Sequence, residues 1–502
     1  MKKQLKRGEA IAPQELKQGI KTWQVAILGM GGVIGSCYFL GVGITIRDMG
    51  PAVLLAYALV GFVLYGLMMA YAELLVNLPR KGSFIAYTNE FLGGTMSVGI
   101  GWAFWCNWVA YVPSEAIAVS IVLNTFIPGN TFLYSVGALL ILTIINLLAV
   151  DLFAKIEASL GLIKIAAILA FIIAAIGIWL GLWGNNGEFI GTSIVVSDSS
   201  ASIYEQLFPH GASVIVVMMV VVLVTFQGTE IVGLAAAESE DAEHSVPKAC
   251  KSVTYRIIVL YMLPLLLLLL ILPYGEAGID GSVFSYTLEK YGLNELAGVL
   301  SVVVMIAAFS CANTGFYGTV RSMYSLSIEG LAPKFLSKVN RFANPKNAVV
   351  FTLACMWIVL MLGNLAAESS IYENLLAMSG FTGTICWVGI LGSQIVFRRR
   401  LKKKGFDTTK LKARVKHQWI PVAALLIQVV GLICLVFDPT MLPVFIMSCA
   451  CLFCPMIIHA IAKKMGKTRT ITSGKGEITF DEAFPTDPKI AEPVMSEMEE
   501  KK

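Results

Sequence analysis

Between Trp23 and Ala462 the chain passes through one long apolar stretch after another, parted by short polar turns. Crossing the hydrocarbon core of a bilayer as helix takes about 20 apolar residues. In oil every backbone N–H and C=O must also find a partner inside the structure. On that rule the sequence predicts about twelve helical spans, at 23–47, 51–76, 96–125, 131–150, 157–183, 212–238, 253–273, 295–327, 347–363, 373–397, 420–437 and 440–462. Composition agrees: 57% of residues are hydrophobic and 14% charged, with mean hydropathy +0.75. Soluble domains carry about 45–50% and about 25%. What remains between the spans is too short for a soluble domain, so the fold class is all-α integral membrane.

The formal net charge of +5 is no nucleic-acid signature, because its placement explains it. Lys2, Lys3, Lys6 and Arg7 precede span 1; Arg80 and Lys81 follow span 2; Lys248, Lys251 and Arg256 follow span 6. Lys334, Lys338, Arg341 and Lys346 follow span 8, a dense run from Arg398 to Arg414 follows span 10, and Lys463, Lys464, Lys467 and Arg469 follow span 12. The alternate loops hold almost no Lys or Arg, Arg47 and Lys290 excepted. That alternation predicts an even number of spans in the plasma (inner) membrane, with both termini cytoplasmic. Met1–Lys21 is basic and lacks the short apolar core and cleavage site of a signal peptide, so span 1 is expected to stay.

The chain divides into a cytoplasmic segment at 1–21, a core of ten spans at 22–397, a basic cytoplasmic loop at 398–418, two last spans at 419–462, and a polar tail at 463–502 expected to be disordered. The ten cysteines fall mostly inside spans, which argues against a disulfide framework. Cys449, Cys451 and Cys454 cluster on an apolar helix; packing thiols are the ordinary reading there, and no metal site or cofactor is expected.

Two spans are interrupted near their middles. Span 1 contains Gly29-Met30-Gly31-Gly32-Val33-Ile34-Gly35-Ser36-Cys37, and span 6 contains Phe226-Gln227-Gly228-Thr229-Glu230. Helix is abandoned at that depth only where backbone lines a protein cavity, and a pair of breaks in corresponding places of two halves marks the binding site of a transporter. Spans 1 and 6 stand five apart, and an odd number of helices per unit inverts the second, which gives a 5+5 inverted repeat plus two helices. Exposed amides at a half-helix N-terminus attract an anion, and carbonyls at a C-terminus attract a cation. Facing breaks therefore suit a zwitterionic α-amino acid. Gly31 and Gly35 also fit the Gly-x-x-x-Gly spacing of close helix packing, so span 1 alone supports either reading. Gln227, Thr229 and Glu230 cannot all hide on one packing face.

These residues resemble the amino-acid permeases of the APC (amino acid–polyamine–organocation) superfamily. Gly31–Gly41 followed by Gly50-Pro51 is similar to that family's GGxIGTGLFxG…GP; Ala72-Glu73-Leu74, Pro79 and Gly82-Ser83-Phe84 are similar to its GE-L…P-x-x-GSF. Phe226–Gly233, Ala236-Ala237-Glu238 and Val246-Pro247-Lys248-Ala249 resemble F-x-GTE-hG-x-A-x-E…P-A, and span 8 adds Asn313, Arg321–Ser325 and Gly330–Lys334. The likeness covers residues 21–461. It implies a LeuT-type fold with the substrate held at mid-membrane between helices 1, 3, 6, 8 and 10. It implies that Gly32, Gly35 and Ser36 offer backbone to the substrate's carboxylate, with Cys37 beside them. Phe226, Gly228 and Thr229, in one block with Gln227, take the amino end, and Phe226 closes over the substrate. Cys37-Tyr38 departs from the family's Gly-Leu and adds bulk at the carboxylate seat.

Lys164 lies seven residues beyond Glu157, about 10 Å deep at the 1.5 Å helical rise. An intramembrane lysine is a functional hypothesis by default, and a candidate proton carrier; snorkelling to the cytoplasmic face is the other reading. The stretch resembles the APC segment whose lysine takes the place of a coupling sodium, which implies proton-coupled uptake through Lys164. Glu115 sits near the middle of span 3 with Asn107 two turns earlier; each suits either substrate contact or helix attachment. Glu230, just past the second break, is expected to bond freed backbone. Glu73, Glu238 and Arg321 read as solvated charges at helix ends more readily than as a gate latch. The four histidines, His210, His244, His417 and His459, sit at membrane edges or in loops, so no catalytic cluster forms and the chain is not read as an enzyme. The expected partners are a small amino acid, a coupling proton and the lipid bilayer, with no nucleic acid and no oligomeric state specified. An amino-acid exchanger and a non-transporting sensor on the same scaffold are the rival functions.

Overall fold

The computed structural model describes residues 33–148, 153–184, 189–190, 202–236, 250, 253–277, 281–339, 345–365, 371–437, 439, 441–466 and 478–486. Among them the regular structure is helical, with no strand. The helices are α1 (Ser36–Phe39), α2 (Gly41–Met49), α3 (Val53–Asn77), α4 (Ser83–Leu92), α5 (Gly94–Phe126), α6 (Thr131–Leu148) and α7 (Phe153–Trp179). There follow α8 (Ile203–Leu207), α9 (Ser213–Val224), α10 (Ile231–Ala236), α11 (Val253–Arg256), α12 (Leu263–Ile271), α13 (Val283–Lys290) and α14 (Asn294–Ile328). The last are α15 (Lys346–Leu365), α16 (Ile371–Lys403), α17 (Trp419–Cys434), α18 (Leu442–Lys464) and α19 (Phe480–Ala483).

Eight helical stretches among the described residues are long and apolar enough to cross a membrane. Shorter apolar helices at Thr131–Asn146, Ser213–Val224 and Ile257–Ile271 fall on predicted spans 4, 6 and 7. Two of the three have a local cause. Span 6 stops at Val224 and restarts at Ile231, and span 7 winds as π-helix over Ile257–Met262, between α11 and α12. Such π turns concentrate at functional sites.

Helix α5 is the axis of the fold, packed along α14 and α16 and flanked by α6 and α18. Of the apolar windows of α17 and α18, only 28% and 11% is buried. Leu426, Val430, Ile446, Phe453 and Ile457 stand exposed on them. So wide an apolar surface suits lipid and not water.

Two charge readings are corrected. Glu73 is fully buried: its carboxylate takes Arg398 through Nε at 2.7 Å and Nη2 at 2.5 Å, Gln394 at 2.8 Å and the Val415 amide at 2.6 Å. This clasp ties α3 to α16 and the following loop, because a carboxylate excluded from water needs several donors. Arg321 is also buried, its guanidinium over the Tyr317 ring at 4.7 Å. Glu238 lies outside the described residues. Within the tail, 478–486 are not disordered, since α19 closes a capping box between Thr479 and Glu482 and buries Phe480 and Phe484.

Candidate functional site: the two helix breaks

At the first break Val33, Ile34 and Gly35 are not helical, and α1 begins at Ser36 with Gly35 extended (φ −122, ψ −162). Gly32 and the rest of 29–32 lie outside the described residues. The groups released by the break are taken up by charged side chains. The Ser36 amide donates to both carboxylate oxygens of Glu115, at 3.2 and 3.1 Å. The Ile34 carbonyl accepts from Lys164 Nζ at 3.1 Å. A carboxyl group therefore meets the N–H end and an amine the C=O end of one three-residue stretch, matching the polarity that a broken helix leaves exposed.

Gly35 is required there. A Cβ on it would lie 2.6 Å from Glu115 Oε1 and 2.7 Å from Cys311 Sγ, closer than atoms pack. The Cys37 thiol meets Tyr111 Oη at 2.8 Å, and Cys311 Sγ lies 3.8 Å from the same hydroxyl. The bulk of Cys37 is thus absorbed by α5. Tyr38 packs its ring among Phe39, Tyr261 and Phe284.

Lys164 does not snorkel. It is fully buried, donates to Ser310 Oγ at 2.7 Å as well as to Ile34, and sits 3.8 Å from Glu157 Oε1. The Ser310 hydroxyl in turn donates to Glu157. Helices α7 and α14 and the first break thus meet at one amine.

The second break spans residues 225–230, between α9 and α10. Gly228 has φ +97, a left-handed backbone that favours glycine. Its amide donates to both oxygens of Glu230, at 3.2 Å each, and Trp387 Nε1 donates to Glu230 at 2.9 Å. Thr229 Oγ1 donates to the Phe226 carbonyl at 2.5 Å. Gln227 reaches α16, donating to the Ser379 carbonyl at 2.9 Å and accepting from Ser379 Oγ at 3.0 Å; Ser379 also bonds Asn107 of α5. The Phe226 ring lies against Tyr261 (4.5 Å) and Tyr57 (5.8 Å).

Asn107, Tyr111 and Glu115 follow one another at four-residue spacing on α5, so a single helix face serves both breaks. A cavity of about 10 Å³ borders Val33, Ile34, Phe226, Thr229 and Tyr261, and a second of about 10 Å³ borders Glu115. Each has room for about one water. Neither admits an amino acid.

The chain matches the amino acid permease family over residues 24–462. It belongs to that family. It is 32% identical to the amino-acid permease RocC of Bacillus subtilis (strain 168), an alignment covering 92% of this chain and 98% of that protein. It is likewise 32% identical to the lysine-specific permease LysP of Lactococcus lactis subsp. cremoris (strain MG1363), over 85% of each. The gamma-aminobutyric acid permease of Escherichia coli (strain K12) is 32% identical over 80% of this chain and 84% of its own length. With its apolar helices, the permease is a multi-pass membrane protein.

Of the residues singled out in the sequence, Gly35, Ser36, Cys37, Lys164 and Glu115 meet at the first break, and Phe226, Gln227, Gly228, Thr229, Glu230 and Asn107 at the second. Tyr111, Cys311, Ser310, Ser379 and Trp387 were not singled out, and they complete both clusters. The four-residue spacing along α5 was a readable signal for Tyr111. The other four lie on spans 8 and 10, and hydropathy does not encode which of their faces turns inward.

Proposed function

We propose that this permease is a secondary active transporter that takes up an α-amino acid across the plasma membrane by proton symport. Uptake proceeds through alternating access, in a LeuT-type 5+5 inverted repeat with two further helices and both termini cytoplasmic. The observation that carries the coupling is the amine of Lys164 on the Ile34 carbonyl, with Glu157 and Ser310 beside it. A bond from a charged donor to a broken helix is stronger than one from a neutral donor, so the protonation of this cluster sets how firmly the first break is held. The substrate's carboxylate takes the backbone at Gly32, Gly35, Ser36 and Cys37, and its ammonium takes the end formed by Phe226, Gln227, Gly228 and Thr229. Because Glu115 occupies the Ser36 amide, a substrate carboxylate seated on that amide requires Glu115 to withdraw. The relatives' names, which cite amino acids in general, lysine and gamma-aminobutyric acid, support an amino-acid substrate.

The test is uptake by purified protein in liposomes with an alkaline interior and no internal amino acid, using a panel of labelled amino acids. Accumulation driven by the pH gradient, and lost in Lys164→Ala, is the expected result. Uptake that appears only after internal loading identifies an exchanger, binding without accumulation identifies a sensor, and sodium dependence overturns the role of Lys164.

A further inference from the structure

The short helix α19 lies far from the breaks, on the end of the molecule that the charge distribution assigns to the cytoplasm. Its two phenylalanines, four residues apart, enter an aromatic recess: Phe480 against Phe91 (6.0 Å) and Phe397 (5.9 Å), Phe484 against Phe397 (5.5 Å) and Phe406 (5.1 Å). Basic side chains rim it. Lys404 donates to the Phe484 carbonyl at 2.9 Å, pairs with Asp481 and lies 5.3 Å from the Phe480 ring centre. Arg80 donates to the Ile478 carbonyl at 2.8 Å while gripping Glu90 through two bonds of 2.9 and 3.1 Å. Arg400 covers Phe91 at 5.0 Å and bonds the Glu90 carbonyl at 2.9 Å.

We propose that the recess formed by Arg80, Phe91, Phe397, Arg400, Lys404 and Phe406 is a docking site for an acidic peptide with two phenylalanines at helical spacing. Residues 478–484 of this chain fill it as a reversible latch. Recess and segment complement each other in charge where Asp481 pairs with Lys404. The contact is also small enough to exchange: two phenyl anchors, two hydrogen bonds from Lys404 and Arg80 to backbone carbonyls, and an ion pair whose Asp481 side chain is 81% exposed and screened by solvent. Eleven residues, 467–477, join the segment to α18. So short a connection gives an effective concentration of about 1 mM, which keeps a weak ligand docked most of the time.

The latch bridges α4 and the end of α16. Phe397, pinned by both anchors, directly precedes Arg398, whose guanidinium holds Glu73 of α3. Occupancy therefore braces the joint between α3 and α16, and release loosens it. This regulatory half rests on the transport reading; the docking half does not.

The test uses full-length protein and a fluorescent peptide spanning residues 476–488. Phe480→Ala/Phe484→Ala protein binds the peptide, wild type at the same concentration binds it at least about tenfold less because its site is filled, and Lys404→Glu added to the double variant weakens binding. A peptide carrying Phe480→Ala binds about tenfold more weakly, the worth of one buried phenyl ring. Equal binding by wild type and double variant, or none by either, overturns the dock. In liposomes the double variant takes up substrate at least about twofold faster at unchanged KM, and peptide on the cytoplasmic side restores the wild-type rate. An unchanged rate alongside confirmed binding overturns the latch. If no variant accumulates any amino acid, the transport reading fails while the binding result stands.

Discussion

Replacing Lys164 by methionine keeps the length of the side chain and removes its charge and its donors. At 3.8 Å and an effective dielectric of about 20, the attraction between the amine and Glu157 is about 4 kcal/mol. Removing one partner of a buried pair costs about 3–5 kcal/mol, because the survivor keeps its desolvation penalty. The Ile34 carbonyl also loses a donor, worth about 1–3 kcal/mol when no water replaces it. Lys164→Met is therefore expected to destabilise the protein by about 5 kcal/mol. Adding Glu157→Gln discharges the stranded carboxylate and recovers about half of that, since the carbonyl remains unpaired. The assay is the fraction of monodisperse protein after heating in detergent, for which wild type should exceed the double variant and the double variant exceed Lys164→Met. A double variant as labile as Lys164→Met refutes the ion pair and leaves the Ile34 and Ser310 hydrogen bonds as the whole of the lysine's contribution.

Gly228→Ala forces a Cβ into the left-handed region at φ +97, at a cost of about 1–2 kcal/mol; substrate affinity should fall about tenfold, whereas Gly275→Ala, with open space around it, changes nothing. Glu73→Ala strands Arg398 and should destabilise by about 3–5 kcal/mol, while Arg398→Lys, which leaves Glu73 a charged partner without the two-pronged bond, should cost less; thermal unfolding of both variants checks this. Outside the spans, the amide and hydroxyl of Thr409 hold the Asp407 carboxyl below its ordinary range. Since the folded value is the lower one, the turn at 407–410 gains stability above the unfolded value and loses it as pH falls through the folded one. Amide exchange at Thr409 should accelerate on acidification, and Asp407→Asn should remove that dependence.

What the sequence made legible follows from which forces leave a local trace. The break in span 6 was visible because Gln227, Thr229 and Glu230 are too polar for lipid and too close together for one packing face. Glu115 stayed ambiguous, since a central carboxylate suits a substrate or a neighbour equally, and its approach to Ser36, 79 positions away, leaves no trace in the local sequence. Ser310, Ser379 and Trp387 escaped notice for a related reason. Helices α14 and α16 are apolar on nearly every side, so no amphipathic stripe marks the face they turn inward. The misreading of the tail has a different origin. Its overall polarity suggested disorder, yet Thr479 and Glu482 form a capping box and Phe480 and Phe484 share a face, signals carried by four residues and diluted by the rest.

The two breaks share a pattern in how their freed backbone groups are satisfied. Each exposes an amide, at Ser36 and at Gly228, and each amide is met by a carboxylate of the protein itself, Glu115 and Glu230. The carbonyl freed at Ile34 is met by an amine. An unpaired backbone group in hydrocarbon costs several kcal/mol, and each of these groups is met by a side chain. The chain therefore supplies its own acceptor and donor at the first break. The same requirement bears differently on the two carboxylates. Glu230 belongs to the break it caps, only two residues from Gly228, so it travels with that segment and also anchors Trp387. Glu115 belongs to α5 and reaches the first break from another helix, so a shift of α1 relative to α5 separates it from Ser36. On the proposed mechanism, a zwitterion entering at that moment would bring the same kind of group that Glu115 withdraws. On this argument Glu115→Gln, which bonds the Ser36 amide through a neutral oxygen, lowers the cost of that separation. It should raise apparent substrate affinity while weakening the response of uptake to pH, and a variant with wild-type affinity and pH response would show that Glu115 never leaves its seat.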